Sequence, residues 1–109
     1  MTAPLLDDIA PELEAELIDL LSEAGEFRLA AKVKHLAIHD RCHDRCRCGD
    51  SFCSSFYTVA ERTTPWPTGF RTLPLRPGSL HLDVLDSTIL YVEVLFRDDL
   101  KPKIVAAVP

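Results

Sequence analysis

Behind Pro11 the apolar residues recur mostly at intervals of three and four: Leu13, Leu17, Leu20, Leu21 and Ala24, with Gly25 directly after. That spacing draws one stripe along an amphipathic helix; proline suits its first turn and glycine its end. A second helix is expected from Glu26 into the high thirties, where Phe27, Ala30, Ala31 and either Val33 or Lys34 define competing faces. Residues 36–48 fit two periods. As a helix, His39 and His43 share a face one turn apart, as do Cys42 and Cys46. As a strand, Cys42, Cys46 and Cys48 project to one side, opposite His39, Arg41, His43, Arg45 and Arg47. Extended structure by about Arg41 is the expectation, because Gly49-Asp50 reads as a turn and residues 52–59 are rich in aromatic and β-branched types.

Pro65-Trp66-Pro67-Thr68-Gly69 reads as a loop, since prolines on both sides of one residue cannot join a ladder. A turn at Arg76-Pro77-Gly78-Ser79 leads into the clearest strand pattern. Leu80, Leu82 and Val84 alternate with polar positions, Asp86-Ser87-Thr88 turns the chain, and Leu90, Val92, Val94 and Phe96 alternate again. Residues 98–108 read as a short helix capped by Asp98, with Leu100, Ile104, Val105 and Val108 facing the sheet and Pro102 in the first turn. The expected fold class is α+β: an N-terminal helical pair on a small antiparallel sheet, which joins a cysteine-rich β-turn-β unit to the 80–97 hairpin. It is a single domain over 1–109, divided into a helical part (1–38), the cysteine box and sheet (39–97) and the C-terminal helix (98–109).

A chain of 109 residues has one core with little area to spare. Its 47% apolar and 27% charged residues are ordinary globular composition. No apolar run approaches the length of a membrane span, and the first residues lack the pattern of a signal peptide, so a cytoplasmic location is expected. The net charge of −5 is unevenly spread: eight acids and no base in residues 1–27, nine bases and four acids in 28–76, five acids and three bases in 77–109. This excludes a uniformly basic nucleic-acid binder. It leaves an acidic first helix able to steer a basic protein partner, with Glu12, Glu16 and Asp19 as the partner-binding candidates.

The chemistry concentrates in the four cysteines, Cys42-x3-Cys46-x-Cys48-x4-Cys53, approached by His35, His39 and His43. A tandem repeat, His39-Asp-Arg-Cys42 then His43-Asp-Arg-Cys46, sets thiols and imidazoles four residues apart. In a reducing compartment such a cluster reads as metal ligands or a redox device before a disulfide framework. Tetrahedral zinc needs four N or S donors. Cys42, Cys46, Cys48 and Cys53 supply them, with His39 or His43 as substitutes for Cys42. Zinc is therefore the expected cofactor, although Cys46-x-Cys48-Gly49 is one residue short of the usual knuckle. The rival reading is reduced thiols packed as small apolar residues. The spacing suits neither an iron–sulfur run nor a C-x2-C redox pair opening a helix.

A nucleophilic set of a cysteine, His35 or His81, and Asp83 can be drawn on paper, but no nucleophile turn, phosphate loop or dinucleotide fingerprint accompanies it. Asp7-Asp8 and Asp98-Asp99 read as helix-start carboxylates, and His81 as a solvent-facing strand residue. Arg41, Arg45 and Arg47 with Phe52, Phe56 and Tyr57 could track a nucleic-acid backbone, but Asp40, Asp44 and Asp50 interrupt that charge.

Cys46-Arg-Cys48-Gly-Asp-Ser-Phe-Cys53-Ser-Ser-Phe-Tyr-Thr58, followed by the hairpin from Leu80-His-Leu-Asp to Tyr91-Val-Glu-Val-Leu, resembles small uncharacterised proteins of high-GC bacteria. These pair a C-x-C-G-D-x-F-C-x-x-F-Y-T box with a similar hairpin. The resemblance covers roughly residues 36–98 and implies a unit linking the box to the sheet, with no activity attached; Cys42 and the histidines fall outside the box. The functional expectation is a non-enzymatic, zinc-stabilised protein-binding module, an accessory subunit, immunity protein or antitoxin. A thiol redox or zinc-dependent enzyme and a nucleic-acid-contacting regulator are the alternatives.

Overall fold

The computed structural model describes residues 3–41, 53–60 and 66–108. Three helices come first, α1 (Leu6–Ile9), α2 (Pro11–Glu23) and α3 (Phe27–Val33). Strands β1 (Asp40–Arg41), β2 (Phe56–Tyr57), β3 (Arg71–Arg76), β4 (Leu80–Leu85) and β5 (Thr88–Val94) follow, and α4 (Lys101–Ala107) comes last. The fold is α+β, with an antiparallel sheet in the order β1-β2-β5-β4-β3.

Pro11 stands in the first turn of α2, and Leu13, Leu17 and Leu21 are fully buried, so the apolar stripe is the core face. The helix stops in a Schellman motif. Gly25 N–H donates to Ser22 O at 3.1 Å and Glu26 N–H to Leu21 O at 2.8 Å. Gly25 supplies the left-handed φ of 77° that this closure needs. The second helix is shorter than expected. It ends at Val33, because Leu36 O accepts from Leu6 N–H, Ile38 N–H donates to Pro4 O, and Leu36 and Ile38 are buried from extended backbone. Its core face is Leu29, Ala30 and Val33; Phe27, expected to help define a face, is 68% exposed.

In the sheet, Phe56, Val92 and Leu82 lie opposite one another across β2, β5 and β4, and all three are fully buried. They share one core with the buried stripe of α2, with Leu29 and Val33 of α3, and with Leu100 and Ile104 at α4. Strand β3 was not anticipated. Among the described residues it pairs only with β4, and an edge strand is where Pro74 can be tolerated. The β4–β5 turn is two residues, Asp86 and Ser87, with Leu85 opposite Thr88 and Asp86 at a φ of 54°. A bulge then breaks the expected alternation. Asp83 faces Tyr91 but Val84 faces Ile89, so Ile89, Val92 and Val94 enter the core shared with the helices, while Leu90 and Tyr91 are buried outside it. Phe96, expected to continue the pattern, has a φ of 61° and is 65% exposed. Asp98 does not cap α4: Leu100 holds the cap position with no side-chain cap bond, and the neighbouring Asp99 takes the Arg97 guanidinium.

Candidate functional site

The sheet closes the cysteine segment at its base. Asp40 lies opposite Tyr57 and Arg41 opposite Phe56, and His39 N–H donates to Tyr57 O at 2.9 Å. The ends of the segment are therefore held side by side in an antiparallel ladder, as a β-turn-β unit requires. Cys42, His43, Arg45, Cys46, Arg47, Cys48 and the Gly49-Asp50 turn lie outside the described residues. Of the expected ligands, Cys53 and His39 are described. His39 is exposed.

Cys53 is half-buried, forms a bridge with Leu95, and donates its Sγ–H to Ser55 Oγ at 3.3 Å. Ser55, only 2% exposed, accepts the Val94 N–H at 3.0 Å. Tyr91 sits beside this group. Burial pushes its phenol well above the ordinary tyrosine range, a hydrogen bond with Ser55 opposes that, and Cys53 and Glu93 reinforce it. The neighbouring Ser54 is 5% exposed, and among the described residues its buried Oγ has no hydrogen-bond partner, nor has Nε of Arg41. Among the described residues, no group of three or more His, Cys, Asp or Glu side chains is placed to hold a metal ion.

Along the sheet, Trp66 Nε1 donates to Asp83 Oδ2 at 3.1 Å and Thr72 Oγ1 to Asp83 Oδ1 at 2.9 Å. Tyr57 stacks obliquely on Tyr91 with ring centres 4.7 Å apart and meets Trp66 edge-on at 6.1 Å. His81 Nε2 lies 2.8 Å from Glu93 Oε2, its partner across the β4–β5 ladder. The His81–Asp83 pairing drawn from the sequence is therefore not made: Asp83 is engaged by Trp66 and Thr72, and His81 by Glu93. His35 is exposed in the turn after α3. Ser55 and Trp66 were missed as structural partners of this region. Their only sequence signals were the serines following Cys53 and the prolines flanking Trp66.

The partner-binding candidates on α2 are already occupied in part. Glu12 bonds Lys103 at 2.7 Å, and that hydrogen bond holds its carboxyl below the ordinary range. Glu16 takes Arg76 at 2.8 Å and Arg97 at 2.7 Å. Burial pushes the Glu16 carboxyl up, but the two guanidinium bonds outweigh it and the net shift is downward. Asp19 is exposed. Glu26 receives Arg71 in a two-oxygen bridge, both contacts 3.1 Å.

No family model matches the chain, and neither a curated protein nor a solved structure is significantly similar to it. Among the described residues, no helix is long and apolar enough to cross a membrane.

Proposed function

We propose that this protein is a non-enzymatic protein-binding module whose cysteine box, Cys42, Cys46, Cys48 and Cys53 with His39 or His43 as substitutes for Cys42, carries a structural zinc ion. One observation carries the reading: the segment holding all four cysteines springs from paired strands, with Arg41 opposite Phe56 and Cys53 bridged to Leu95. A segment closed at its base loses less freedom when a metal gathers its thiolates, and the binding energy then supports the fold of a small domain. Asp19 and Glu23, both exposed on α2, remain available to steer a basic partner, as an accessory subunit, immunity protein or antitoxin would need.

Elemental analysis of the protein purified without a tag should return one zinc per chain, and a strong chelator should lower the melting temperature markedly. Alanine at Cys46, Cys48 or Cys53 should cost more bound metal than alanine at Cys42. Melting that ignores chelation in metal-free protein removes the zinc. Retention of a specific protein from the native host supports the module, whereas thiol–disulfide turnover by the purified chain favours the redox enzyme instead.

A further inference from the structure

Folding redistributes the charge that the sequence divides so sharply. Arg71, Arg76, Arg97 and Lys103 are each drawn into ion pairs with acids of the first 26 residues, namely Glu26, Glu16 and Glu12. Among the described residues, a run of exposed basic charge outside these pairs lies on and beside α3. Arg28, Lys32, Lys34, His35 and His39 are all exposed there, and no acid occurs between Glu26 and Asp40. Arg28 and Lys32 sit one helical turn apart and, among the described residues, have no ion-pair partner; Lys34 lies near enough to Glu14 for its charge to oppose, without reversing, the rise that burial imposes on that carboxyl. Of the flanking acids, Glu26 is held by the Arg71 guanidinium, and Asp40, which accepts the Arg41 N–H at 2.9 Å, lies beyond the end of α3 in β1. Phe27, at the start of the same helix, leaves 68% of its surface in water.

From this arrangement we infer that the exposed face of α3 docks a short acidic protein segment, with its carboxylates on Arg28 and Lys32 and an apolar side chain against Phe27. The inference rests on the protein-binding reading and names the chemistry of one contact. A helix of seven residues is about 10 Å long. That reach matches a few carboxylates and one apolar anchor better than an extended phosphate backbone. The exposed Asp8, Asp19 and Glu23 on α1 and α2, and the net charge of −5, also oppose a nucleic acid.

Fluorescence anisotropy with the full-length chain tests it, using labelled poly-L-glutamate, a glutamate–tyrosine copolymer and oligothymidylate as probes. Lys32→Glu should weaken poly-L-glutamate binding by about fivefold, while Lys103→Glu, an equal change of net charge on α4, should alter it by less than about twofold. The copolymer should bind more tightly than poly-L-glutamate, and Phe27→Ala should remove that difference. Equal weakening by the two lysine variants, no saturable binding of either polypeptide, or tighter binding of oligothymidylate overturns the inference, the last in favour of a nucleic-acid surface. A host partner that the chain retains regardless of Lys32→Glu removes this surface alone and leaves the module standing; a chain with no protein partner removes both.

Discussion

Ser54 and Ser55 are adjacent, both buried and chemically identical, yet their hydroxyls have opposite consequences. Ser55 satisfies the Val94 N–H at 3.0 Å and receives the Cys53 thiol, whereas Ser54 Oγ has no partner among the described residues. A buried hydroxyl without a bond carries its full desolvation cost, and removing a bonded one orphans the group it served. Ser55→Ala should therefore lose about 1–2 kcal/mol of stability, and Ser54→Ala should be neutral or gain up to about 1 kcal/mol. Urea midpoints at unchanged m-value read both; an equal loss at the two positions would mean that Ser54 is hydrogen-bonded in solution. The two serines look alike in the sequence. Both meet Val94 of β5, Ser54 through its backbone N–H and Ser55 through its hydroxyl, and that division follows from the bridge of Cys53 to Leu95, a contact between residues far apart in the chain.

At the scale of elements, those written in local signals were legible and those made by partners were not. Helix α2 carried its proline start, its stripe and its glycine stop within 15 residues; start and stop function as read, and of the stripe Leu13, Leu17 and Leu21 are fully buried, Leu20 is half-buried and Ala24 is exposed at the C-cap. Gly25→Ala should cost about 1 kcal/mol from backbone strain alone, since a methyl group there meets nothing within 4 Å. In α4 the anchors Leu100 and Ile104 were also legible, and both are fully buried. Ile104→Ala should cost about 3 kcal/mol, with the loss visible in the thermal midpoint. By contrast, α3 stops at Val33 because the chain beyond it pairs with residues 4–6, and no residue in the helix itself announces that. Strand β3 was hidden by Pro74, which is disqualifying in a central strand and acceptable at an edge. The bulge opposite Asp83 and Val84 displaced the expected face of β5 for the same kind of reason, a register chosen between strands.

Over the whole molecule, Glu16 ties the helical layer to the sheet by bonding Arg76 of β3 and Arg97 beyond β5. Its carboxyl titrates below the ordinary glutamate value of 4.5. The stabilisation is thus complete above that pH and is lost as pH falls through the lowered value. Glu14 behaves oppositely. Burial first, then the charge of Asp7, raises its pKa, so its ionised form opposes folding at neutral pH and acidification relieves it. Glu16→Gln should lower stability at neutral pH by about 1–2 kcal/mol, and the difference from the parent chain should shrink below pH 4.5. Glu14→Gln should raise the melting temperature at neutral pH and converge with the parent as the pH falls toward 4.5. Melting curves across that range check both signs; a Glu16→Gln deficit that persists unchanged in acid would show that the contact does not depend on charge.

By itself the sequence determined the α+β class, the main helix, the existence of a hairpin within 80–97, the C-terminal helix and the concentration of thiols between Arg41 and Phe56, because each is written in short-range periodicity, turn residues or plain spacing. Tertiary structure alone decided where the charges and hydroxyls ended up. The acids of α2 looked like a docking surface until folding set Arg76, Arg97 and Lys103 against Glu16 and Glu12. Those contacts join residues separated by 60 to 91 positions, so no local pattern contains them. What remains uncompensated on α3 is defined only after that pairing is made, because an exposed charge is a property of the folded surface rather than of the residue that carries it.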